Sequence, residues 1–209
     1  MRTNNLTANL STKDNTFKSK RDWLKWVGGA ALAPVLTTSG ATRAKVGPRA
    51  GYFPNTIVQT HEGEKLRFYD DVVQGKIVIF NMMYTVCTGI CPGNTANLLQ
   101  VQEALGSRLG KDVFMYSMTL RPEFDRPQDL NDYVKRYGIK PGWSFLTGQP
   151  AEMDTIRRKL GFFNDNPRID SDLANHTGML RIGNEKLDRW FMMPALSSPK
   201  QIAREILQM

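Results

Sequence analysis

An α/β fold with a central mixed sheet flanked by helices is the class this chain predicts, and three features carry the prediction. Apolar runs of strand type alternate with segments of helical spacing from about Gly51 onward. Turn residues punctuate the alternation, and the order closes with a hairpin and one last helix. The only two cysteines, Cys87 and Cys91, fall at the junction between the first strong strand and the helix after it.

The run Lys76-Ile77-Val78-Ile79-Phe80 opens a strand over 76–83, and its unbroken apolar character marks it as buried. Leu98, Leu99, Val101 and Leu105 give helical spacing over 94–109. A second strand covers 113–120, and a helix over 128–137 is ended by Gly138. Residues 143–146 form a short strand, and 151–160 a helix stopped by Gly161. A hairpin joins 179–182 to 186–193 through a Gly183-Asn184 turn, and the last helix runs over 199–207. Elements in this order form a thioredoxin-like sheet, and a cysteine pair at the strand-to-helix junction sits where the redox site of such a fold belongs.

At 209 residues with 41% hydrophobic content, the chain can bury one good core. That makes one domain over 45–209 behind a leader and linker at 1–44. The net charge of +8 invites a nucleic-acid reading, but its distribution argues against one. Residues 1–44 hold seven Lys/Arg against two Asp/Glu, so most of the excess lies there. The rest carries 21 basic and 18 acidic residues with no basic stripe interleaved with aromatics. No nucleic-acid partner is expected.

The leader has the pattern of an export signal. Ser19-Lys20-Arg21-Asp22-Trp23-Leu24-Lys25 follows the twin-arginine form S-R-R-x-F-L-K, with Lys20 for the first arginine and Trp23 for phenylalanine. The mildly apolar stretch 26–36 is rich in Gly and Ala and contains Pro34. It is well short of the ~20 residues that span a bilayer. Ala41 and Ala44 offer cleavage points. The expected location is periplasmic or otherwise extracytoplasmic, with an uncleaved membrane anchor or a disordered basic tail as the alternative reading of the leader. Such a compartment is oxidising, so a reductant or a metal must keep the thiols reduced.

Two sulfurs four residues apart can close a disulfide or hold one soft metal ion, and spacing alone leaves both open. Pro92 marks the helix start, because proline fits the first turn and disfavours helical geometry in the residue before it. Cys91 is therefore expected at the helix cap, with Cys87 in the loop leading to it. Both sulfurs would then lie near the positive end of the helix dipole, which favours thiolate over thiol. Cα atoms one helical turn apart fall within the disulfide window of about 4.4–6.8 Å. A fixed bridge in a non-catalytic interaction module is the bland alternative, although so short a loop constrains the unfolded chain little.

The chain has two histidines. His61, in His61-Glu62-Gly63-Glu64-Lys65, reads as a solvent-exposed turn residue between short apolar segments. His176, in Ala174-Asn175-His176-Thr177-Gly178, precedes the hairpin strand, and its loop is expected at the sheet end that carries the cysteines. A lone loop histidine is more often a surface or packing residue than a ligand. Two thiolates and one imidazole nevertheless make a donor set that suits copper, sulfur favouring Cu(I) and imidazole admitting Cu(II). Structural zinc normally takes four protein ligands, and no fourth is evident.

Together these residues resemble the Sco/SenC family, thioredoxin-like copper proteins that assist assembly of the binuclear copper centre of cytochrome c oxidase. The likeness spans about 51–207. It rests on Tyr84-Thr85-x-Cys87-x-x-x-Cys91-Pro92, on Arg121-Pro122-Glu123-Phe124-Asp125-Arg126-Pro127, and on His176 heading the hairpin strand. Phe145-Leu146-Thr147-Gly148 before a helix also matches. The resemblance implies one copper ion, Cu(I) or Cu(II), held by Cys87, Cys91 and His176. It implies a client that is a copper-containing respiratory subunit, such as subunit II of cytochrome c oxidase. A copper donor protein or thiol reductant is implied as a further partner, and membrane association through the client or an uncleaved leader.

Two departures from the family pattern bear on the chemistry. Thr88-Gly89 stands where the family often has Pro-Asp, and Arg121 where it has an acidic residue. Beside the cysteines, a cation lowers thiol pKa and repels a metal ion. The implied function is a non-enzymatic one, copper delivery to a respiratory enzyme. The alternative is a periplasmic thiol–disulfide reductase that uses Cys87 and Cys91 on a partner's cysteines and binds no metal.

Overall fold

The computed structural model describes residues 47–173 and 178–209. The leader at 1–44 and His176 lie outside the described residues. The chain runs through β1 (Ile57–Thr60), β2 (Lys65–Arg67), a π-helical turn (Phe68–Val73), β3 (Ile77–Met83) and α1 (Ile90–Leu105). Then follow β4 (Val113–Thr119), α2 (Pro127–Tyr137), β5 (Trp143–Gly148), α3 (Pro150–Lys159) and a single turn, α4 (Pro167–Asp170). The hairpin of β6 (Met179–Asn184) and β7 (Arg189–Pro194) leads to α5 (Pro199–Leu207).

Seven strands form one sheet in the order β2-β1-β5-β4-β3-β6-β7. The central strands β3, β4 and β5 are parallel, while β1 runs against β5, β6 against β3 and β7 against β6. Helices cover both faces, so the sheet is mixed and the fold thioredoxin-like, as the sequence predicts. The side chains of β3 divide between the two faces. Ile77, Ile79 and Met83 join Leu98, Val101, Leu130 and Ile202 beneath α1, α2 and α5. Val78, Phe80 and Met82 join Phe68, Val72, Ile156 and Leu160 beneath the π-helical turn and α3. A strand buried on both sides cannot alternate in polarity, which is why 76–83 reads as one apolar run.

Proline opens α2, α3 and α5, supplying a preset φ where the missing N–H has no intrahelical partner to lose. Gly138 closes α2 at φ 64°, a left-handed conformation that glycine adopts without a steric penalty. The strands β1 and β2 are too short for the periodicity of a sequence to register. They extend the sheet beyond β5 as an antiparallel ribbon.

Two expectations are corrected. Gly183-Asn184 is not the hairpin turn; both residues lie in β6, paired with Trp190 and Arg189, and the chain turns over 185–188. Gly183 serves packing instead, because a Cβ there would run into the Trp190 ring atoms Cε3 and Cζ3. His61 is half-buried rather than solvent-exposed. Its backbone N–H donates to Phe145 O at 2.8 Å, and Phe145 N–H donates to His61 Nδ1 at 3.2 Å. Burial holds the imidazole pKa below its ordinary value, with the Glu62 charge opposing. His61 is therefore a structural acceptor joining the β1 end to β5.

No helix among the described residues is long and apolar enough to cross a membrane. The glycine packing can be tested. Gly183→Ala should destabilise the protein by about 1–3 kcal/mol through overpacking against Trp190, read by chemical denaturation. A variant as stable as the wild type would show that the Trp190 ring yields freely.

Candidate metal and thiol site

The site begins where β3 leaves the core. Past Met83 the chain bends through Tyr84, and the Cys87 N–H donates to Tyr84 O at 3.2 Å. Helix α1 then starts at Ile90 with Gly89 as its cap residue. Cys91 thus lies inside the first turn, not at the cap, and Pro92 follows it. The first turn has N–H groups without helical acceptors, so proline is tolerated one or two places deeper than the sequence reading put it.

A buried carboxylate holds the loop. Asp125 is 2% exposed and accepts from Thr85 N at 3.2 Å and Thr85 Oγ1 at 2.5 Å. It also accepts from Thr119 Oγ1 at the end of β4. Its own N–H donates to Arg121 O at 2.8 Å, and Arg121 N–H donates to Thr119 Oγ1 at 2.9 Å. The 121–127 segment therefore lies against the cysteine loop, and Asp125 ties the loop to the adjacent strand. Its place in a motif was visible in the sequence; its partner Thr85, forty positions away, was not. Hydrogen bonds to a charged, buried acceptor are among the stronger ones.

The cysteines stand as thiols in very different surroundings. Cys87 is partly exposed, and Cys91 is buried. Burial works to raise the Cys87 pKa, but hydrogen bonds from the Cys91 side chain, the Cys91 and Gly89 backbone N–H groups and Tyr84 outweigh it and hold it below the ordinary value. For Cys91, burial and then the neighbouring Cys87 push the pKa up to about 12. The expectation that the helix dipole favours thiolate at both sulfurs holds for Cys87 only. At Cys91 burial and the neighbouring Cys87 outweigh the backbone hydrogen bonds that favour thiolate.

Arg121 lies over an aromatic ring of its own segment. Its guanidinium lies 4.3 Å from the centroid of the exposed Phe124 ring. Its charge is felt at Tyr84, whose hydroxyl pKa is raised first by the hydrogen bond to Cys87 and then by burial, with Arg121 acting to lower it.

The hairpin enters beside the same helix. β6 is antiparallel to β3, with Phe80 opposite Arg181, so its first residues lie at the cysteine end of the sheet. Gly178, two residues after His176, sits so tightly on α1 that a Cβ there would strike Ile90 Cδ1 and lie 3.7 Å from Asn94 Nδ2. Asn94 is 2% exposed, and its Oδ1 is buried without a hydrogen-bond partner among the described residues. An unsatisfied buried carbonyl is costly, and one at this place fits a site completed by a further donor. Among the described residues no three His, Cys, Asp or Glu side chains cluster as a metal site.

The family model for SCO1/SenC matches residues 58–209. The chain belongs to the SCO1/SenC family. It is 29% identical over 91 residues to the SCO1 protein homolog of Bacillus subtilis, a match covering 43% of this chain and 46% of that relative. The chain therefore spans under half the length of this curated relative. In fold it is similar to Bradyrhizobium japonicum ScoI with copper bound, at a TM-score of 0.59 and 20% identity, covering 73% of this chain and 95% of the other. It is likewise similar to BsSco, a member of the Sco family of cytochrome c oxidase assembly proteins in which a disulfide switch was identified. That likeness has a TM-score of 0.59 at 19% identity and covers 75% of this chain and 92% of the other. Sco-family proteins are copper-binding proteins linked to oxidase assembly.

The thiol asymmetry makes a direct test. In metal-free protein, alkylation should modify Cys87 with a midpoint pH below that of an ordinary thiol, while Cys91 stays unreactive through about pH 9. Tyr84→Phe removes a donor to the Cys87 thiolate and should move its midpoint up. A Cys91 that reacts first, or a midpoint indifferent to Tyr84, would contradict the geometry.

Proposed function

We propose that this protein is an exported copper-binding assembly factor that helps metallate the binuclear copper site of a respiratory oxidase. Cys87, Cys91 and His176 are its ligands for one copper ion, carried as cargo. The observation that carries the reading is the packing of Gly178 on Ile90 and Asn94, within the helical turn that holds Cys91. His176 stands two residues before Gly178 in the sequence, which supports its assignment as the third ligand. Two thiolates and an imidazole match copper in both oxidation states. The buried Asn94 Oδ1, without a hydrogen-bond partner among the described residues, would suit a donor such as an imidazole N–H, the kind of support metal-bound histidines commonly have.

The thiols also set how loading responds to pH. Ligation requires thiolate, and Cys91 is held as a thiol up to about 12, so a metal entering the site must displace its proton. Copper affinity should rise with pH. In reduced protein, Cys87→Ser and Cys91→Ser should each abolish high-affinity binding, since a hydroxyl is a poor ligand for a soft metal. His176→Ala should weaken it, most of all for Cu(II). Titrations in which any of these binds as well as the wild type would defeat the ligand assignment.

The thiol–disulfide reading is favoured by one observation, the pairing of an accessible low-pKa thiol with a buried high-pKa one. The Cys87 thiolate would attack a partner's disulfide to give a mixed disulfide and release one partner thiolate. Cys91, on losing its proton, would attack Cys87 Sγ, leaving the partner with two thiols and this chain with a Cys87–Cys91 bridge. A thiol reductant must then return two electrons. Copper stoichiometry separates the readings, because His176→Ala leaves thiol exchange intact while weakening copper binding.

Export and a periplasmic site of action rest on the leader pattern. Replacing Lys20 and Arg21 with Gln should leave the protein in the cytoplasm, as fractionation would show. Undiminished export would remove the twin-arginine assignment and leave the general secretory route.

A further inference from the structure

The apolar side chains most open to solvent gather beside the thiols. Val86, Phe124 and Leu196 are 64%, 63% and 59% exposed, more than any other large apolar residue among those described. Val86 adjoins Cys87 in the loop. Phe124 adjoins Asp125, whose carboxylate accepts from Thr85 N at 3.2 Å, so Val86 and Phe124 flank one hydrogen bond that joins their two segments. Leu196 lies in the turn after β7. Asn97 Nδ2 of α1 holds that turn by donating to Ala195 O at 2.7 Å and Ser197 O at 2.8 Å. A Cβ at Gly93, in the first turn of α1, would lie 3.9 Å from Leu196 Cδ2. Three segments remote in sequence thus each bring an exposed apolar side chain to the start of the cysteine helix.

Scattered apolar residues on a surface are ordinary, but a group of them marks a contact. The charges here are as selective as the apolar groups. Residues 84–93 contain no Asp, Glu, Lys or Arg. In the 121–127 segment, Asp125 is buried and engaged, and Arg126 pairs with Asp129. Arg121 lies over the Phe124 ring and forms no ion pair among the described residues, not even with Glu123 two positions on. Its charge is the one from this segment felt at the Tyr84 hydroxyl, which hydrogen-bonds Cys87. Thr88 and Gly89 beside Cys87 are small and exposed, and a Cβ at Gly89 would meet nothing within 4 Å. A partner backbone can therefore come close to the sulfur.

A cation enclosed by a contact needs an oppositely charged group, and a carboxylate matches a guanidinium. We infer that Val86, Phe124 and Leu196 form the docking surface for a cysteine-bearing segment of a partner protein, apolar beside its cysteine and carrying a carboxylate for Arg121. The inference rests on the reading that Cys87 meets a partner's sulfur, which copper delivery and thiol exchange share. Contacts on three separate segments suit a polypeptide, since a small thiol has too few apolar atoms to cover more than one of them.

The test uses the reduced full chain and a blocked tetrapeptide, Leu-Cys-Phe-Glu, with its cysteine as the 2-pyridyl disulfide. The Cys87 thiolate attacks the peptide sulfur, the peptide–pyridine S–S bond breaks and a Cys87–peptide S–S bond forms. Pyridine-2-thione leaves with the electron pair, takes up a proton and reports the rate by its absorbance. Hydroxyethyl 2-pyridyl disulfide, small and uncharged, gives the reactivity of Cys87 alone, and each peptide rate is divided by it. So normalised, Leu-Cys-Phe-Glu should react about tenfold faster than Ser-Cys-Ser-Lys. Phe124→Ser and Leu196→Ser should each slow it about three- to tenfold. Arg121→Gln should erase the preference for Glu over Lys in otherwise identical peptides, as should high salt. Equal normalised rates for all peptides, or rates unmoved by these substitutions, would overturn the surface and leave the Cys87 chemistry standing. No exchange even with the small probe would overturn both. Self-association, or sedimentation with phosphatidylcholine vesicles, that is lost in Phe124→Ser and comes without peptide preference would reassign the patch and likewise overturn the proposal.

Discussion

β3 is the strand on which the rest of the molecule depends, because neither of its faces meets solvent. Its seven residues are all buried, shared between two apolar layers, and it pairs with β4 on one side and β6 on the other. A strand so enclosed has one place to go and one end from which to emerge. What emerges is the loop 84–89, delivered at the C-terminal edge of parallel strands, where the helix that follows must begin. The same pairing brings the start of β6 to that edge, since β6 runs the other way. The reactive loop and the hairpin entrance meet as a consequence of sheet order, not of any affinity between them.

Around that meeting point the fold treats two identical side chains differently. Cys87 faces N–H and O–H donors and is partly open; Cys91 has been drawn into the core one turn later. Four residues separate them, yet one is favoured as thiolate and the other strongly as thiol. Such a pair has a nucleophile in front and a reserve behind, and it can also close on a soft metal if the metal displaces the inner proton. The Asp125 carboxylate keeps the arrangement in place by binding Thr85 and Thr119 together. Its contribution is positional: it fixes where the loop lies without touching either sulfur among its hydrogen bonds.

The opposite face of the hairpin shows the cost of reading residues by type. Gly183 followed by Asn184 carries the composition of a turn, but the glycine is there because the Trp190 ring lies over it. Arg181 has the composition of a surface residue and is half-buried against that same ring. His61 looks like a turn histidine and instead accepts a backbone hydrogen bond from Phe145. In each case the deciding neighbour lies on another strand or far along the chain.

The sequence by itself determined the α/β alternation, the buried strand, the limits of α2, α3 and α5, and the pairing of Cys87 and Cys91 at a strand-to-helix junction. These depend on local periodicity, on proline and glycine, and on spacing, all of which act within a few residues. The motif likeness to Sco/SenC was also legible, because it is a matter of order along the chain. Tertiary structure alone decided that Cys91 is buried and Cys87 is not, that Asp125 holds Thr85, and that the Arg121 charge is felt at Tyr84. It also decided that Gly178 rests on the cysteine helix. Burial and hydrogen bonding are set by which strands become neighbours, and no property of a short segment records who its neighbours will be.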